Sequence, residues 1–191
     1  MQVGRGDGSA RAAEVVAGHV IDVPDFPQDG IVFKDLSPLF ADGPAFREVI
    51  DSVAESYRAG GAAAGGDPGF DVVAGIEARG FLLAAALAYA TGTGVVPVRK
   101  AGKLPRETHS ASYALEYGTA TLEVHADAFL AGQRVLVFDD VLATGGTAEA
   151  TMSLVERGGG RVIGFVVLLE LEVLRARERL AGRPVHAVLT V

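Results

Sequence analysis

The sequence predicts a doubly wound α/β domain, a mostly parallel sheet with helices on both faces. Two observations carry that expectation. Strand-length runs that are almost wholly apolar recur, at residues 71–76 (DVVAGI), 134–138 (RVLVF) and 162–169 (VIGFVVLL). Between them lie stretches with helical spacing of apolar residues, at 80–90 and 147–157. Strands that lack polar alternation are buried on both faces, which happens when crossover helices cover a parallel sheet.

Taken in order, residues 1–9 read as a disordered tail, Gly-rich and without periodicity. Ala13, Val16, Ala17 and Val20 then fall on one helical stripe. Residues 21–30 hold two prolines and a glycine and read as an ordered loop with little regular structure. Residues 30–35 (GIVFKD) alternate like a short strand. A second helix is predicted over 44–58, with Pro44 near its start and Phe46, Val49, Ile50, Val53 and Tyr57 at three- and four-residue steps. Residues 59–69 (AGGAAAGGDPG) are low-complexity loop, too short to divide two folding units. The strand at 71–76 and the helix at 80–90 lead to a short strand at 95–98. A two-stranded excursion turning near Tyr117 and Gly118 is predicted from alternation within 111–124. After the strand at 134–138, the helix at 147–157 and the strand at 162–169, a last strand is predicted over 185–191. No internal repeat is present. Residues 10–191 therefore read as one domain with a small N-terminal subregion at 10–40.

Composition narrows the function. The 191 residues are 49% hydrophobic and 21% charged, ordinary for a globular chain. A net charge of −7 argues against a broad nucleic-acid-binding surface. With no cysteine, thiol catalysis, disulfides and cysteine zinc sites are excluded. The four histidines, His19, His109, His125 and His186, have no ligand spacing and receive no role. No apolar run is long enough to span a bilayer, and the expected setting is the cytoplasm.

The most informative segment is residues 135–147 (VLVFDDVLATGGT). A buried strand ends in the adjacent carboxylates Asp139 and Asp140, and a short loop then reaches a turn that opens a helix. The turn of Ala143, Thr144, Gly145, Gly146 and Thr147 suits a phosphate. Its glycines let backbone N–H groups approach an anion, its hydroxyls add donors, and the helix N-terminus adds partial positive charge. No lysine follows the glycines at Walker A spacing. Asp139 and Asp140 are placed to accept hydrogen bonds from vicinal sugar hydroxyls, so the pattern asks for a phosphorylated sugar. Ligands of open α/β sheets bind at the carboxyl ends of strands, where this segment lies.

This segment resembles the phosphoribosyl pyrophosphate signature of the type I phosphoribosyltransferases. Residues 24–38 (PDFPQDGIVFKDLSP), 77–81 (EARGF), 99–105 (RKAGKLP) and 112–118 (SYALEYG) resemble the adenine-specific members of that family, in family order. The resemblance implies transfer of the 5-phosphoribosyl group to adenine, giving AMP and pyrophosphate, with Mg2+ held mainly by the substrate.

It also implies residue roles. Arg79 contacts pyrophosphate, with Glu77 steadying Arg79 or a magnesium-bound water. Arg99, Lys100 and Lys103 hold pyrophosphate, and Arg99 reaches a neighbouring subunit's site in a homodimer. Ala101 stands where some relatives carry another basic residue. Residues 100–117 form a flexible lid that keeps water from an oxocarbenium-like centre. Glu116 handles a ring-nitrogen proton of the base, with Tyr117 nearby. Residues 24–38 form a hood over the purine, where backbone groups of Val32 and Lys34 read its edge and Phe33 faces it. Two alternatives stay open: another purine as acceptor, and a regulator that senses phosphoribosyl pyrophosphate. The second needs a nucleic-acid element, for which the stretch before Pro24 is short and the net charge too negative.

Overall fold

Residues 7–58, 67–114 and 119–191 are described by the computed structural model. In chain order they form helix α1 (Asp7–His19), strands β1 (Ile21–Pro24) and β2 (Val32–Asp35), helices α2 (Ser37–Ala41) and α3 (Gly43–Tyr57), and strand β3 (Val72–Ile76). There follow α4 (Arg79–Thr91), β4 (Gly94–Lys100), β5 (Thr108–Ala114), β6 (Thr119–His125), β7 (Arg134–Leu142) and α5 (Gly146–Arg157). The chain ends with β8 (Arg161–Glu170), a 3-10 turn (Glu172–Leu174), α6 (Ala176–Arg179) and β9 (Val185–Thr190).

Seven strands line up in the order β5-β6-β4-β3-β7-β8-β9. β4, β3, β7, β8 and β9 pair in parallel, while β6 joins β4 antiparallel at Arg99 and Lys100 and carries β5 on its outer side. The chain winds from β3 through α4 to β4 in one direction and from β7 through α5 to β8 in the other. The winding reverses between β3 and β7, and a crevice opens there at the strands' carboxyl ends.

Neighbouring residues on a strand point to opposite faces, which explains the continuous apolar runs. Val73, Leu136, Phe138, Val166 and Leu168 face a core shared with α1, α3 and α4. Val72, Ala74, Val135, Val137, Phe165 and Val167 face a second core, closed by α5 and the β5–β6 arm. Each fully buried Val, Leu or Phe side chain contributes about 1.5–3 kcal/mol by leaving water. Asp42 fixes the start of α3, its carboxylate accepting from the Ala45 N–H at 3.0 Å. The ribbon of β1 and β2 forms its own two-stranded sheet.

Four expectations need correction. Residues 7–9, assigned to the tail, already belong to α1; residues 1–6 lie outside the described residues. Residues 21–24, expected as irregular loop, form β1, because Val23 and Phe33 are cross-strand partners and Asp22 faces Lys34. β7 does not stop at Phe138 but runs to Leu142, since β8 offers partners as far as Glu170. The span 100–117, expected as a lid loop, contains β5 at residues 108–114, paired residue for residue with β6. Ala111 and Tyr113 pack inward on the second core, and Ser112 shares a 2.8 Å hydroxyl contact with Thr121. Glu116 and Tyr117 lie outside the described residues.

Leu83 of α4 is fully buried against the sheet. Leu83→Ala is expected to lower unfolding stability by about 2–5 kcal/mol, read by urea denaturation with an unchanged m-value.

Candidate active site

Four segments meet at the reversal point. β3 delivers Glu77 and the start of α4; β7 delivers Asp139, Asp140 and the turn into α5; the end of β4 delivers the basic residues; and the β2 ribbon supplies Phe33. Gly80 permits the closest approach, because a Cβ there would stand 2.8 Å from the Phe138 carbonyl oxygen and 3.0 Å from Asp139 Oδ1. Only glycine lets the first turn of α4 rest on β7.

The turn into α5 has the expected form. Gly145 sits at the N-cap with φ +83°, a left-handed conformation that favours glycine. No side chain caps this helix, so its first N–H groups are open to an anion. Thr144 is exposed, Thr147 and Ala143 are half-buried, and Gly145 and Gly146 are buried. Asp139, Val141, Ala143, Thr144, Gly145 and Thr147 line one small pocket floored by Phe165.

Asp140 is 4% exposed and one of its oxygens, Oδ2, lies 2.7 Å from Arg79 Nε. The alignment is that of an ion pair, and no hydrogen-bond donor is aimed at that oxygen. The Arg79 guanidinium also lies over the Phe33 ring, 5.0 Å from its centroid, at cation–π distance. Phe26 and Phe33 form a T-shaped pair with centroids 5.1 Å apart. Arg79 thus bridges the β1–β2 ribbon and the main sheet. Val32 is exposed, and Lys34 is held by both oxygens of Asp22, at 2.7 and 2.8 Å.

Glu77 does not hold Arg79, the first of the two roles expected for it from the sequence. Its carboxylate takes the Lys103 ammonium, pairs with Arg99 Nε at 3.4 Å and accepts the Lys100 backbone N–H at 3.0 Å. The reason is register: parallel pairing brings Ile76 beside Val98, so Glu77 meets the residues after Val98. Arg99 and Lys100 belong to β4 itself, and Arg99 Nη1 donates to the Lys103 carbonyl at 3.0 Å.

Two carboxyl groups are shifted in opposite directions. Burial pushes Asp139 well above the usual carboxylate range, and the neighbouring Asp140 charge pushes it further. The hydrogen bond from Lys103 holds Glu77 below its ordinary value, against the opposing effect of burial. The stabilisation from Glu77 is therefore present above its unfolded pKa and lost as pH falls through its folded one.

Sequence reading missed two contributors. Val141 lines the pocket beside Asp139, and its place between the acid pair and the turn was the available signal. The second is α6, which packs on the turn so tightly that a Cβ at Gly145 would stand 3.3 Å from the Ala176 carbonyl oxygen. Arg177 clamps α6 to the buried Glu170 with contacts of 2.7 and 2.8 Å, and Arg179 reaches Glu149 of α5 at 2.7 Å. These residues have no local pattern that announces them. Among the described residues no group of three or more His, Asp or Glu side chains is arranged to hold a metal ion, and no helix is long and apolar enough to cross a membrane.

Comparison with known proteins adds independent observations. The profile of the phosphoribosyl transferase domain matches residues 40–183. An adenine phosphoribosyltransferase of Salinispora tropica is 67% identical over 187 residues, covering 98% of this chain and 95% of its own. The chain belongs to the phosphoribosyltransferase family, in its adenine branch. Among solved phosphoribosyltransferases, the adenine enzyme of Rhodothermus marinus superposes with a TM-score of 0.86 at 48% identity, over 95% of this chain and 99% of that one. The adenine enzyme of Saccharomyces cerevisiae superposes with a TM-score of 0.84 at 36% identity, over 94% and 99% of the two chains. That yeast phosphoribosyltransferase structure contains an imino-altritol bisphosphate together with adenine.

Because the native pKa of Asp139 is raised, the stability it lends is complete below its unfolded pKa and is lost as pH rises through the folded value. Once ionised, its charge costs stability. Asp139→Asn is expected to stabilise the ligand-free chain by about 0.5–2 kcal/mol at pH 7, an advantage that shrinks towards pH 4. Thermal unfolding across that range checks it.

Proposed function

We propose that this chain carries out purine salvage, transferring the 5-phosphoribosyl group of phosphoribosyl pyrophosphate to adenine and releasing AMP and pyrophosphate. The observation that carries this reading is the meeting, in one crevice, of an uncapped helix N-terminus, two adjacent carboxylates and an aromatic hood, bridged by Arg79.

The 5-phosphate takes the turn of Ala143, Thr144, Gly145, Gly146 and Thr147, where open N–H groups and hydroxyls replace its hydration. Asp139 and Asp140 accept the ribose hydroxyls, and the undirected Oδ2 of Asp140 has a free acceptor position for one of them. Arg79, Arg99, Lys100 and Lys103 offset the charge that grows on pyrophosphate. Phe33 faces the base, backbone groups of Val32 and Lys34 read its edge, and Tyr117 lies beside it. A ring nitrogen of adenine attacks the anomeric carbon as the bond to pyrophosphate breaks, and the bonding electrons leave with pyrophosphate. Glu116 takes the proton that the nitrogen sheds. Residues 101–107, leaving the carboxyl end of β4, form the rim that limits water. The acceleration comes from positioning and electrostatics rather than a covalent intermediate.

Magnesium fits this site as a companion of the substrate. Paired carboxylates are hard oxygen donors, and magnesium is usually held by one or two carboxylates plus substrate phosphates. When bound, it neutralises pyrophosphate charge. Asp139 and Asp140 are the residues that would face it.

Because phosphoribosyl pyrophosphate is too highly charged to cross membranes unaided, we place the activity in the cytoplasm, where such substrates are made. We further propose a homodimer. Leu82 and Tyr89, seven residues apart on α4, are 52% and 93% exposed, and Val95 at the start of β4 is 49% exposed. β6 pairs with β4 only at Arg99 and Lys100, which leaves the exposed or half-exposed stretch from Gly94 to Pro97 without a strand partner on that side.

Purified protein with magnesium and phosphoribosyl pyrophosphate is expected to form nucleotide from adenine and little from hypoxanthine, guanine or xanthine. A preference for another base would overturn the hood assignment, and no product from any base would overturn the reaction. In sedimentation velocity the chain is expected to run as a dimer, and Leu82→Glu with Tyr89→Glu to run as a monomer. A wild-type monomer would refute the dimer.

A further inference from the structure

In the ligand-free chain Arg79 stands where two other groups are needed. Its guanidinium covers the Phe33 ring at 5.0 Å, and Phe26 packs against the same ring in a T-shaped arrangement at 5.1 Å. Its Nε lies 2.7 Å from Asp140 Oδ2, a buried oxygen with no hydrogen-bond donor. On the functional reading above, the Phe33 face is for the base and the Asp140 oxygen is for a ribose hydroxyl. One side chain therefore fills part of both places.

We infer that Arg79 is an interlock: it holds the base site closed until the pyrophosphate group of the donor draws it away. The inference rests on the proposed function and adds to it a coupling between the two substrates. The competition favours the donor. A guanidinium binds phosphate oxygens through two parallel N–H donors, whereas here it has one undirected contact to a carboxylate and one to a ring. Once it turns to pyrophosphate, the Phe33 face and the Asp140 oxygen are released together. Phosphoribosyl pyrophosphate thus prepares the site for adenine. Arginine suits this task because its planar group stacks on an aromatic face and forks onto phosphate, which an ammonium does not.

Coupling between two ligands is reciprocal, so adenine and pyrophosphate must tighten each other's binding by the same factor. Titration calorimetry of adenine into the full-length protein, with and without saturating magnesium pyrophosphate, measures it. Pyrophosphate is expected to tighten adenine binding about tenfold, within the range common for coupled sites. In Arg79→Ala, adenine alone is expected to bind about as tightly as it binds wild type with pyrophosphate, because nothing covers the ring, and pyrophosphate should add less than about twofold to that affinity. Arg79→Lys keeps the charge and loses the planar stack, and its coupling is expected to fall between the two. Thermal unfolding verifies that both variants are folded. A folded Arg79→Ala that binds adenine no more tightly than uncomplexed wild type overturns the interlock while leaving the base site intact. If wild type binds no adenine even with pyrophosphate, the base site itself is misassigned, and the interlock falls with it.

Discussion

Asp139 and Asp140 stand side by side in the carboxyl-terminal half of β7, a strand buried on both faces, and their repulsion in poorly hydrated surroundings has to be offset. The fold does this incompletely. Arg79 neutralises Asp140 without a directed hydrogen bond, and Asp139 is left with a strongly raised pKa. A chain selected only for stability would not keep such a pair. Their unmet demand for donors and positive charge marks this crevice as a place where a ligand could supply both.

The surrounding structure serves to hold that pair at a reachable place. Reversal of winding between β3 and β7 opens the crevice, and Gly80 lets α4 settle on β7 so closely that Arg79 reaches Asp140. On the other side, α6 presses on Gly145 and is itself clamped through Arg177 to the buried Glu170. The turn into α5 is thus braced by residues more than twenty positions away in sequence. The basic group at the end of β4 is gathered on Glu77 before any ligand arrives. Such pre-gathering lowers the ordering cost when an anion replaces the carboxylate.

Much of this was legible in the chain itself. Apolar runs such as 134–138 and 162–169 cannot be half-exposed strands, so burial on both faces and a parallel sheet follow from hydrophobicity and strand period alone. The Asp-Asp pair and the Gly-Gly turn carry their chemistry in residue type and spacing, and the alternation of residues 30–35 gave β2. The pairing of Asp22 with Lys34 across β1 and β2 did not show, because two prolines and a glycine in that stretch argue locally for loop.

What the amino-acid order determined, then, was most strands and helices of the main sheet, the two-faced core and the chemistry of the turn, all of which depend on neighbours within a few residues. Tertiary structure decided which charges meet. Arg79 is two residues from Glu77 and pairs instead with Asp140, because parallel register assigns Glu77 to Lys103 and Arg99 while helix α4 aims Arg79 across the crevice. Partners at such separations are chosen by strand register and helix packing, which no local spacing encodes.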